Sequence, residues 1–124
     1  MSYKYFTLKE FDSPDVLGSG ENMNHDFLEL LDFAREEAGV PFKISSGFRT
    51  QDYNKDLLKR GYQASKTSSH LKGCAADIVC TDSVKRSTIV RALINVGYTR
   101  LGIAKSFIHV DNDPDKPDAI WLYS

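Results

Sequence analysis

The sequence predicts an α+β domain in which helices flank a small antiparallel sheet, and three observations carry that expectation. Stretches with apolar residues at helical spacing follow N-capping residues, as at Asn22 or Asn24, Thr50, and Asp82 or Ser83. Short apolar stretches of strand length lie between them and after the last of them. No internal repeat, low-complexity tract or linker interrupts the 124 residues, a length that one domain accommodates.

Taken in order, the first helix carries Phe27, Leu30, Leu31, Ala34 and Ala38 on one face, and Gly39 and Pro41 stop it. Residues 41–46 read as a short strand leading into Gly47-Phe48-Arg49. Thr50 caps a second helix with Tyr53, Leu57 and Leu58, which Gly61 ends. Residues 62–69 are polar and serine-rich, as a surface loop is. Residues 75–80 are apolar apart from Asp77 and read as a buried strand. A third helix follows, with Val90, Leu93 and Ile94 on its inner side and Gly97 near its end. Residues 100–104, 107–111 and 120–123 complete the sheet as short strands, with Lys105-Ser106 as a tight turn.

Composition excludes several classes. With 41% hydrophobic and 27% charged residues the chain can bury a core, so disorder is not expected. Sixteen Lys and Arg against seventeen Asp and Glu give a net charge of −1 without long blocks of either sign, so no nucleic-acid partner is expected. No apolar run approaches the roughly 18 residues of a membrane span. The polar first ten residues lack the apolar core of a signal peptide, so synthesis in a cytoplasm is expected. Cys74 and Cys80 are too few for a disulfide scaffold. In an extended strand they stand about 20 Å apart, at about 3.3 Å per residue, and both read as small buried hydrophobes.

The chemistry gathers in Ser68-Ser69-His70-Leu71-Lys72-Gly73-Cys74-Ala75-Ala76-Asp77-Ile78. A carboxylate inside an apolar strand is costly unless it is paired, hydrogen-bonded or bound to a metal. A second short strand, Phe107-Ile108-His109-Val110-Asp111, puts His109 and Asp111 on one face, because strand side chains repeat every two residues. His70, Asp77 and His109 together supply two imidazoles and one carboxylate, a set that suits Zn2+ with a fourth position left open for water. That is the composition of a catalytic site, and amide hydrolysis is the chemistry expected of it.

The pattern Ser68-x-His70-x-x-Gly73-x-Ala75-x-Asp77, with Phe107-Ile108-His109-Val110-Asp111, resembles the zinc D-alanyl-D-alanine carboxypeptidase family of metallopeptidases. Ser45-Ser46-Gly47-Phe48-Arg49 and Asn54 are similar to a segment of one subgroup, and matching segments run from about Tyr5 to Trp121. The resemblance implies a hedgehog/DD-peptidase-like fold, zinc held by His70, Asp77 and His109, and Arg49 binding the substrate carboxylate or a developing oxyanion. It implies hydrolysis of a stem or cross-link peptide of bacterial peptidoglycan by carboxypeptidase or endopeptidase action, at the cell wall. Several such proteins are phage endolysins, so phage or prophage origin is an expectation here, as is a monomer.

Better-known members carry a base carboxylate three residues before the last zinc histidine, where this chain has Ser106. Asp111 is the replacement candidate, either as the base or as the group that orients His109. Ser68 reads as a substrate-side hydrogen-bonding partner. Trp121 and Tyr123 read as groove or core. His25 is expected in an exposed turn at a helix start. Asp111, Asp113, Asp115 and Asp118 form an acidic run that lacks the Gly and Glu of a calcium loop. The opposing reading is a non-catalytic zinc-containing binding module, and Ser106 in place of the acid is the feature that favours it.

Overall fold

The structure is a computed structural model and describes residues 2–62 and 64–123. Among the described residues the chain forms three α-helices and five strands. Helix α1 is His25–Ala38, α2 is Gln51–Lys59 and α3 is Ser83–Val96. Each starts where a short polar side chain satisfies an N–H that the helix leaves unpaired. Asn24 accepts from the Phe27 N–H, Thr50 from the Tyr53 N–H and Asp82 from the Lys85 N–H. Gly39 ends α1 and Gly97 ends α3, both left-handed.

The strands are β1, Ile44–Ser46; β2, Ala75–Val79; β3, Arg100–Ile103; β4, Phe107–Asp111; and β5, Ala119–Leu122. They lie in the order β1-β2-β4-β3-β5. The α+β class expected from the sequence holds, with one difference of detail. The first three pairings are antiparallel, but β5 runs parallel to β3, so the sheet is mixed. The cause is the path of residues 112–118, which leave β4 beside Arg100 and pass around the start of β3. Thr99 fastens that passage, its hydroxyl donating to Asp118 at 2.7 Å and its carbonyl accepting from the Ala119 N–H at 3.1 Å.

Period-two alternation divides the sheet into two faces with different fates. Ala76, Ile78, Leu101, Ile108 and Val110 point into the core, with Phe27, Leu28 and Leu31 of α1 and Ile89 and Leu93 of α3. On α3 the buried positions are Ile89, Ala92 and Leu93, while Ile94, expected inside, is 46% exposed. Ile89 in its place starts the inward stripe one residue before Val90. The other sheet face carries Asp77 on β2, His109 and Asp111 on β4, and Arg100 on β3. Both cysteines are buried and free.

The turn that leads into β2 depends on Gly73, whose φ of 71° is left-handed. A Cβ there would stand 2.3 Å from the Asn22 carbonyl oxygen, while the Gly73 carbonyl accepts from the Asn24 N–H at 2.7 Å. Gly73→Ala is therefore expected to destabilise the protein by about 2–5 kcal/mol, the sum of a left-handed residue and an overpacked contact. Denaturant unfolding measures this, and a loss below about 1 kcal/mol would show that the turn relaxes freely.

Candidate metal centre

One row of cross-strand partners builds the site. Asp77 pairs with His109, His109 with Gly102, and Gly102 with Trp121, so the row crosses β2, β4, β3 and β5. His70 reaches it from a 3-10 turn, Ser69–Lys72, whose start Ser68 caps by accepting from the His70 N–H at 3.2 Å. Asp77 Oδ1 lies 3.3 Å from His70 Nε2 and 3.0 Å from His109 Nδ1. These three side chains are the group of potential metal donors found among the described residues, and all three are buried.

The far nitrogens of both rings are tied back. His70 Nδ1 donates to the Gly47 carbonyl at 2.7 Å, and His109 Nε2 donates to Asp111 Oδ2 at 2.7 Å. With their protons there, His70 Nε2 and His109 Nδ1 turn lone pairs toward the same carboxylate oxygen, an arrangement that a cation resolves. Ligand atoms about 2.0–2.1 Å from a tetrahedral zinc lie about 3.3 Å from one another, so the observed spacings fit that ion. A carboxylate or carbonyl behind each ligating imidazole is the usual support of such a centre.

At His70 and Asp77 the electrostatics agree with this reading. Burial holds the His70 pKa below its usual value and keeps the ring neutral, as a ligand must be. Burial works to raise the Asp77 pKa, but the imidazoles beside it outweigh burial and hold the carboxyl well below its usual range. For His109 burial pulls downward, and the Asp111 and Asp77 carboxylates on opposite edges of the ring outweigh it and raise the pKa, so without a cation between the donors the ring tends toward its charged form.

Arg49 is brought alongside by its backbone N–H, which donates to the His70 carbonyl at 3.2 Å. Its Nε donates to Ser46 Oγ at 3.0 Å and its Nη2 faces Asp77 Oδ2 at 3.5 Å. Burial lowers its pKa, though an arginine stays charged all the same. Asn54 anchors the serine-rich loop, its Nδ2 donating to the Ser65 carbonyl at 2.8 Å. Asp113, enclosed at 3% exposure, accepts from Ser69 Oγ at 2.7 Å and from Lys72 Nζ at 2.8 Å. The acidic run is thus ion-paired on its inner side.

Asp111 lies at the edge of the His109 ring opposite to Asp77. Its Oδ2 holds His109 Nε2, and its Oδ1 accepts from Arg100 Nε at 2.7 Å and from the Asp113 N–H at 3.1 Å. With three hydrogen bonds accepted and 1% of the residue exposed, it is held where it orients the ring, the second of its two expected roles. Ser106 is exposed in the β3–β4 turn. His25, expected in an exposed turn, is half-buried at the start of α1 and bonds to the Tyr3 hydroxyl.

Two cavities meet at Arg49 and Asp77. One of about 470 Å3 is lined by Ser65, Ser68, His70, His109, Lys116 and Trp121, among others. The second, of about 550 Å3, is lined by Glu10, Tyr53, Arg60 and Tyr62, and Arg49, Asp77 and Phe107 border both. Ser68 lines the first of these cavities. Arg100 and Lys116 are not legible as site residues, because only the β3–β4 register and the return of residues 112–118 bring them there.

A buried His-Asp-His donor set lining a groove on the sheet of an α+β domain is a candidate metal site. The Peptidase M15 profile matches residues 5–111, and the chain belongs to that peptidase family. Among solved structures the chain is similar to the Serratia marcescens L-Ala D-Glu endopeptidase ChiX, with a TM-score of 0.54 and 22% identity. That likeness covers 61% of this chain and 62% of the other, so the alignment spans less than two thirds of ChiX. No curated protein matches the sequence significantly.

Proposed function

We propose that residues 1–124 act as a single zinc-dependent peptidase domain that hydrolyses an amide bond within a peptidoglycan stem or cross-link peptide at the cell wall. The observation that carries this reading is the position of the donor set where two cavities meet. A groove continuing on both sides of Arg49 and Asp77 leaves room for chain on either side of the scissile bond, which favours endopeptidase over carboxypeptidase action. The family and the named activity of ChiX support the substrate class. A monomeric phage or prophage lysin is the form we propose for it.

Zinc held by His70 Nε2, Asp77 Oδ1 and His109 Nδ1 would supply polarisation of the scissile carbonyl and activation of water. The rest falls to the chain. Arg49, fixed by Ser46 and Asp77, presents N–H groups to both cavities and there binds a substrate carboxylate or the developing oxyanion. Asp111 and Gly47 keep the two imidazoles in the tautomers that leave their inner nitrogens free. Lys116 and Ser68 offer donors to the polar groups of the bound peptide.

One observation favours the second reading, a non-catalytic zinc-containing binding module. The carboxylates lining the cavity of about 470 Å3, among the described residues, are Asp77 and Asp111, and both are engaged. Digestion of purified peptidoglycan by the zinc-loaded protein, followed by mass spectrometry, separates the two. Endopeptidase action yields paired peptide fragments, and carboxypeptidase action releases a single amino acid. Equimolar zinc without any fragment would establish the binding module.

A further inference from the structure

The family match ends at Asp111, yet the site does not. Strand β5 and the residue after it, beyond that point, send Trp121 and Tyr123 onto the same sheet face as the metal donors. The Trp121 ring lies 5.4 Å from that of His109, with the Arg100 guanidinium 4.9 Å from the indole. Tyr123 packs on Phe107 at 5.0 Å, and both Trp121 and Tyr123 line the cavity that holds His70 and His109.

What lets them reach it is a missing side chain. Between His109 and Trp121 in the cross-strand row stands Gly102. A Cβ there would meet Trp121 Nε1 and Tyr123 Cε2, each at 2.6 Å. Its backbone is not left-handed, so glycine is needed here for space and not for conformation. Any side chain at this position would push the aromatic pair off the sheet.

We propose that Trp121 and Tyr123 form a substrate-specificity wall of the groove, and that Gly102 is the positioning residue that admits them. The inference rests on the peptidase reading and adds to it the class of group bound beside the scissile bond. A flat apolar wall facing Ser65, Ser68 and Lys116 takes a short aliphatic side chain or hydrocarbon stem, with the opposite polar side taking charged or amide groups. The wall acts in binding, so its loss weakens substrate capture more than turnover.

Trp121 is the sole tryptophan, which makes its place measurable without any substrate. Cobalt(II) chloride added to the metal-free protein is expected to quench the wild-type indole emission, and the quench is expected to fall by at least half in Gly102→Ala at equal cobalt content. With a peptidoglycan peptide and zinc, Gly102→Ala and Trp121→Ala are expected to raise KM by about tenfold while kcat changes little, and Trp121→Phe to recover most of the loss. Circular dichroism checks the fold, and Trp121→Ala, which removes volume, stands in should Gly102→Ala fail to fold. Wild-type KM in Gly102→Ala and Trp121→Ala, or an unchanged quench in Gly102→Ala, would overturn the proposal. If the wild type cleaves nothing, the peptidase reading fails and the quench alone decides the wall: a loss in Gly102→Ala supports it and an equal quench refutes it.

Discussion

His70→Ala is expected to leave the protein without stoichiometric zinc and to lower kcat/KM by at least about a thousandfold, or about 4 kcal/mol of transition-state stabilisation. His70 is one of three donors around Asp77 Oδ1, and its ring is already committed at the other edge to Gly47. Removing it leaves a buried carbonyl without its partner, which adds a stability loss of about 1–3 kcal/mol. Metal analysis after gel filtration, circular dichroism and cleavage kinetics on the same sample keep these effects apart. A folded His70→Ala protein that retains one zinc per chain would show that the donors are assigned wrongly.

Arg49→Ala is expected to leave zinc bound and to lower kcat/KM by about 10²–10³, the usual effect of losing a donor aimed at developing charge. Arg49→Lys should recover little of it. A lysine carries the charge but cannot hold Ser46 through Nε while facing Asp77 through Nη2, as the planar fork does. The check is kcat/KM beside zinc content. Full activity in Arg49→Ala would move the substrate-binding role to another cation, with Lys116 the first to test.

Much of this site was legible before the fold was. Helix α1 carries its own start and stop signals in Asn24 and Gly39, and the structure uses both. The placement of His109 and Asp111 on one strand face needs no more than the two-residue period, and Asp77 declared itself as a charge inside an apolar strand. What stayed hidden depends on register and chain return. Arg100 meets Asp111 because β3 and β4 align them, and no local pattern in either strand encodes that alignment. The parallel placement of β5 follows from the turn taken by residues 112–118, fastened by Thr99 and Arg100, and short apolar stretches read the same in either direction. Asp111 could be narrowed to the face of His109 but not to its far side, since that depends on which ring nitrogen Asp77 faces. The meaning of Gly102 is visible only from across the sheet, where Trp121 and Tyr123 occupy its space.

The most direct test of the central claim is cleavage of a defined peptidoglycan peptide before chelation, after removal of metal, and after return of one equivalent of zinc. The account predicts hydrolysis within the peptide that vanishes with the metal and returns with the single equivalent. Hydrolysis that survives complete removal of metal, or zinc bound at one equivalent with no bond broken, would contradict it.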